Sequence, residues 1–264
     1  MLPSFSIRAA WLTAAACFAG SINAIAGGGS LLSFPALLQA GILPIQANAT
    51  NTVALLPGQF TSAAAYRHEL RRHHSMLLPL LIAALVGGLL GARVLLWTRQ
   101  EQFLRLVPWL LLTATVLFAI GPPLQQRMSR KLMEGEVPHP TGLRPIARVL
   151  LPIGIFIVCL YVGFFGAGSG LLIMGVLSFA GVESVHEINA LKTVITSVSN
   201  SIASITFIIY GAVLWHNGLL MMLAASIGGY LSARIARKRK PKAIRGLIIA
   251  LGCIVTSYFF WKIY

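Results

Sequence analysis

Long apolar runs alternate with short polar joints along the chain. Eight runs have the roughly 20 residues a helix needs to cross a bilayer; they lie near 7–26, 47–66, 76–97, 103–121, 146–166, 188–210, 217–235 and 244–263. Two shorter apolar pieces, 30–43 and 169–182, follow the first and fifth runs and predict helices that stop within the membrane. One long polar stretch, 122–145, carries Arg127, Arg130, Lys131, Glu134 and Glu136 and reads as a linker between a first unit, 1–121, and a second, 146–264. The predicted fold is an all-α integral membrane protein. It has eight transmembrane helices as two four-helix repeats, each with a glycine-broken short helix.

The repeat is visible when the sequence is shifted against itself by 141 residues. Asn48-Ala49 then falls on Asn189-Ala190, Thr52-Val53 on Thr193-Val194, Gly87-Gly88 on Gly228-Gly229, and Ala92-Arg93 on Ala233-Arg234. Apolar helices match by chance through alanine and leucine, but the paired Asn, Thr and Arg are not explained that way. At an offset of 139, Gly27, Gly29 and Ser30 match Gly166, Gly168 and Ser169. Four crossings per unit make the units parallel, whereas a fifth crossing by the short segment inverts one of them. Counting spans favours the parallel arrangement.

Three consecutive glycines, Gly27, Gly28 and Gly29, interrupt good helix formers, each at a cost of about 1 kcal/mol in a helix interior. They predict a broken helix, with Ser30 as N-cap of the next segment and Ser169 repeating it. The bland alternative is close helix packing, which is the expected role of Gly87, Gly88, Gly228 and Gly229. A helix N-terminus favours anions, and two such ends from two units would face one anion. Beyond each break runs a polar stripe at helical spacing: Asn48, Asn51/Thr52 and Gln59, then Asn189, Lys192/Thr193, Thr196 and Ser199/Asn200. Singly, such residues bond helix to helix; as matching stripes beside matching breaks they read as cavity walls. Lys192, which replaces Asn51, either attracts an anion or snorkels to the interface. The candidate substrate-binding set is Gly27, Gly28, Gly29, Ser30, Asn48, Asn51, Thr52, Gly166, Gly168, Ser169, Asn189, Lys192 and Thr193.

Composition narrows the partner. Charged residues make up 10% of the chain and mean hydropathy is +0.81, so lipid is the expected surroundings. The 21 Lys and Arg face six acids, all glutamates, and no glutamate lies mid-span. That argues against a cation site built from carboxylates. The basic residues sit in short joints, a pattern that fits lipid headgroups rather than nucleic acid. With eight crossings they divide evenly between the two faces and leave orientation undecided. Cys17, Cys159 and Cys253 lie in separate runs without metal or disulfide spacing. The first run reads as a retained span rather than a signal peptide. Gly166-Ala-Gly-Ser-Gly170 lacks the setting of a dinucleotide turn, and no Walker loop is present. Histidines 68, 73 and 74 share one basic loop with no metal-site spacing. No cofactor is expected. A membrane enzyme or a non-transporting scaffold subunit is the alternative to a permease.

The glycine-rich break after the first span, the Asn-x-x-x-Thr helix (Asn48, Thr52), the Gly87-Gly-x-x-Gly-Ala-Arg93 span and their repetition together resemble the sulfite exporter TauE/SafE family. That family includes proteins described as toluenesulfonate uptake permeases. The resemblance covers nearly the whole chain apart from the linker. It implies a multi-span permease, usually bacterial, that moves sulfite, sulfonates or related small organic anions.

Overall fold

The computed structural model describes residues 5–26, 28–65, 74–133, 145–180, 182, 185–236 and 241–264. Among the described residues there are ten helices and no strand: α1 (Phe5–Ala26), α2 (Ser30–Gln39), α3 (Pro44–Ala65), α4 (His74–Trp97), α5 (Gln100–Met133), α6 (Pro145–Phe164), α7 (Ser169–Phe179), α8 (Val185–Ile209), α9 (Trp215–Ala236) and α10 (Pro241–Ile263). Helix satisfies every backbone polar group within its own segment, which a lipid surrounding demands. Among the described residues three stretches are both long and apolar enough to cross a membrane, Leu77–Trp97, Gln100–Gly121 and Glu187–Ile209. Outward-facing side chains are largely apolar, among them Phe18, Ile157, Leu223, Ile254 and Trp261. A water-soluble monomer rarely carries so broad an apolar surface. Lipid is its solvent.

The two short helices appear where the glycines predict them. α5 departs from expectation: it continues beyond residue 121, through Pro122 and Pro123, to Met133. Part of the expected linker is therefore helical, because its Gln, Arg, Lys and Met favour helix although they are not apolar. Residues 134–144 of that linker, and His68 and His73, lie outside the described residues.

Two helix pairs form the largest interfaces, α1 with α9 and α4 with α6. Both are parallel. Along the first, Gly228 lies on Cys17, and Ser232 Oγ donates to Ser21 O at 3.3 Å. Along the second, Gly87 lies on Phe156 and Gly91 on Leu160. A Cβ added at Gly91 would come 2.0 Å from Leu160 O, and one at Gly228 would come 2.0 Å from Cys17 O. Only glycine lets these backbones approach so closely. Gly88 packs on Ser199 of α8 in the same way, while Gly229 is half-buried.

Helix directions follow from contacts at the helix ends. Ile45 N donates to Gln100 Oε1 and Leu214 N to Thr50 Oγ1, both at 3.0 Å, which brings the starts of α3, α5 and α9 together. A cavity lined by Arg8, Gly41 and His216 adds the start of α1 and the end of α2. Tyr264 Oη donates to Arg105 O at 3.3 Å and adds the end of α10. This is face one. α4 ends there, two residues before α5 begins. Its parallel neighbour α6 therefore starts at the opposite face. α1 and α6 run in opposite senses, which corrects the parallel arrangement favoured by span counting. α2 is the physical reason: its ten residues carry the chain back to the face where α1 began, making an odd number of passes.

Candidate functional site

Both chain breaks lean on one turn of α5. A Cβ at Gly28 would strike the Phe118 ring at 2.5 Å; one at Gly168 would meet Ala114 Cα at 3.4 Å and Leu117 Cδ1 at 3.6 Å. Residues 28–30 and 164–169 thus come together, although 139 positions separate the two breaks in sequence. Phe34 of α2 packs edge-on against Phe103 and Phe165, with ring centroids 6.3 and 5.3 Å away, and pins the second break to the first short helix.

Gly29 and Gly168, rather than the serines, occupy the boundary position of α2 and α7, and neither helix has a side-chain cap. This corrects the N-cap expectation for Ser30 and Ser169, which are the first helical residues. At Gly29 the cause is space, since a Cβ would lie 2.3 Å from Ala19 O. At Gly168 it is conformation, with φ at +75°. Some of the amides expected to face a ligand are also occupied. Leu31 N donates to Gly28 O, while Leu32 N and Ser33 N donate to Gly29 O; Ser169 N donates to Gly166 O and Leu171 N to Gly168 O. Gly27 lies outside the described residues.

α3 and α8 carry the polar stripes into this region. Asn48 is 1% exposed and donates from Nδ2 to Phe164 O at 3.1 Å, capping a carbonyl that the end of α6 leaves without a helical partner. Its Oδ1 has no hydrogen-bond partner. Asn51 Oδ1 accepts from Ser33 Oγ of α2. In the second half Lys192 Nζ donates to Asn189 Oδ1 at 3.1 Å. The lysine stem passes over Gly170, where an added Cβ would lie 3.4 Å from Lys192 Cδ. Lys192 thus turns in over the start of α7 rather than away from it. Thr52 and Thr193 close onto their own helix, donating to Asn48 O and Asn189 O. Between the stripes, Asn200 Nδ2 donates to Gln59 Oε1 at 3.0 Å, joining two positions that the 141-residue shift superposes.

Four contributors escape the sequence pattern. Ser33 and Phe118 sit in apolar runs that show no distinguishing spacing, and Thr50 lies beside the stripe. Tyr161, whose Oη donates to Ala167 O at 2.7 Å, looks like ordinary span filling. Two cavities stand out, about 240 Å³ beside Arg8 and His216 and about 550 Å³ between α3, α8 and α9. Neither is lined by the candidate set. Among the described residues no cluster of His, Cys, Asp or Glu could hold a metal ion.

The sequence model of the family "Sulfite exporter TauE/SafE" matches residues 12–259. The chain is 32% identical over 247 residues to a probable membrane transporter protein, ORF9, of Sinorhizobium sp., covering 92% of this chain and 88% of the relative. It is 25% identical over 247 residues to the probable membrane transporter protein YfcA of Escherichia coli K12, covering 92% and 86%. A probable membrane transporter protein of Haemophilus influenzae is 27% identical over 248 residues, covering 90% and 89%. No solved structure matches.

Proposed function

The chain belongs to the sulfite exporter TauE/SafE family of membrane transporters, and we propose that it is a secondary transporter for a small anion: sulfite, an organosulfonate or a related organic anion. In this reading it is a multi-pass protein of a bacterial inner membrane. Its eight long helices cross the bilayer, and each short one returns the chain to the face from which the preceding long helix set out. The halves are inverted repeats: α1 to α5 correspond to α6 to α10, and the pairings α1–α9 and α4–α6 exchange under that correspondence.

The observation that carries the proposal is the meeting of both breaks on one turn of α5, between Ala114 and Phe118. Inverted-repeat transporters bind substrate where two discontinuous helices meet, with helix N-termini turned toward an anion. Asn48, bonded to Phe164 at the second break, and Lys192, lying over Gly170, would give an anion there a polar and a charged partner. One helix end favours an anion by up to about 2 kcal/mol in a partly buried setting. Stripping water from an anion therefore requires several such partners at once. Small-anion flux from reconstituted vesicles, across sulfite, alkyl and aryl sulfonates and carboxylates, tests the proposal. It predicts saturable uptake of at least one sulfur oxyanion above empty vesicles, and absence of flux for every anion refutes it.

A further inference from the structure

The routing of the chain redistributes its charge. The helix ends at 65, 74, 133, 145, 236 and 241 lie on the face opposite face one, and the sequence stretches that join or flank them, 66–73, 127–148 and 234–245, hold fifteen of the 21 Lys and Arg. Face one has Arg8, Arg93, Arg99, Arg105 and Lys262, while Lys192 is inside α8. The even division expected from eight crossings fails because α2 and α7 each turn the chain back. Every joint between α3 and α6 changes sides, and the two basic stretches there join the third.

We propose that this basic face is the cytoplasmic surface and rests on the anionic headgroups of the inner leaflet. Lysine and arginine in short joints next to spans stay on the cytoplasmic side during insertion. Once there, they are attracted by the negative surface potential of that leaflet. In sequence, the joints between these helix ends also carry Glu69, Glu134, Glu136 and Glu183, and Glu187 falls in the first turn of α8, but acids contribute little to the insertion bias. α1 then starts and α10 ends on the outer side, where the cavity beside Arg8 and His216 also opens. This orientation rests on helix directions and charge, not on which anion is carried.

Single cysteines in a full-length chain lacking Cys17, Cys159 and Cys253 test it in intact cells with a membrane-impermeant maleimide. Glu101→Cys, exposed on face one, is expected to label at once, and Lys242→Cys only after permeabilisation. The reverse pattern, or equal labelling of both from outside, overturns the orientation. In case the cysteine-free chain does not assemble, alkaline phosphatase fused after Tyr264 of the natural sequence provides a second readout. Active phosphatase is expected, and inactive phosphatase on a membrane-inserted chain overturns the proposal. For the headgroup contact, the purified protein should melt at a higher temperature in phosphatidylglycerol than in phosphatidylcholine vesicles, with the difference shrinking in high salt. Equal melting temperatures in the two lipids would remove that part of the proposal.

Discussion

The first chain break turns on glycines with no room for a side chain; the second turns on glycines whose backbone an L-residue rarely adopts. Gly28 and Gly29 are wedged against Phe118 and Ala19, and Gly29 keeps ordinary helical angles. Gly166 and Gly168 have φ of +78° and +75°, with looser surroundings. The polar partners differ too. Asn51 is buried and its carbonyl is taken by Ser33, so this position beside the first break is neutral and closed by its own hydrogen bond. At the matching position of the second half stands Lys192, a cation held by Asn189 above Gly170. The halves share a path of chain but not a role. The first break is closed by packing, and the second carries the charge that the proposed function assigns to anion binding.

Substitutions at the two breaks probe this difference, the most damaging first. Gly29→Ala forces backbone apart at Ala19 and should cost about 2–3 kcal/mol, as overpacking does, seen as lost folded yield or a lower Tm in detergent. Gly168→Ala has space and pays only for its left-handed backbone, about 1–2 kcal/mol, and Gly168→Asn should recover part of that. Equal losses at both positions would erase the distinction between steric and conformational glycines.

Next comes Asn51→Leu. It removes the bond from Ser33 Oγ and leaves that hydroxyl only Gly29 O, 3.1 Å away; the net loss should be about 0.5–1.5 kcal/mol, seen as a lower Tm, with a smaller loss of anion transport than Lys192→Gln causes. An unchanged Tm would mean that the bond between Ser33 and Asn51 does not hold α2 to α3. The smallest effect is expected at Gly170→Ala, whose Cβ makes ordinary contact with the lysine stem. A change in Tm equivalent to less than about 1 kcal/mol is expected there, with transport intact. Strong inhibition would mean that the lysine needs the full width of that gap.

Much of this was legible in the sequence, and the failures have physical causes. The ten helices and both breaks follow from apolar run length and glycine, which act locally. The relative direction of the halves does not. It depends on whether a ten-residue helix returns the chain to its starting face, and length alone cannot decide that. The error carried over into the count of positive charge on each side. Ser30 and Ser169 looked like N-caps because serine suits that position, yet the space at Ala19 and the turn at Gly168 give it to glycine. Asn51, Asn48 and Lys192 stood out as polar residues in apolar company. Their partners Ser33, Phe164 and Gly170 did not, since nothing in sequence spacing links α2 to α3 or the end of α6 to Asn48.

The central claim is that an anion is held where the two breaks meet, with Lys192 as its charged partner. Anion transport by Lys192→Gln in reconstituted vesicles, measured beside Asn51→Gln and Lys192→Arg, tests it most directly. The account predicts at least a tenfold loss in kcat/KM for Lys192→Gln at unchanged Tm, roughly the 1.4 kcal/mol per decade of a lost charge-assisted contact. It also predicts partial recovery in Lys192→Arg and a milder effect for Asn51→Gln. Wild-type kinetics in Lys192→Gln would contradict it and leave Lys192 as a packing partner of Asn189 and α7 that takes no part in binding the anion.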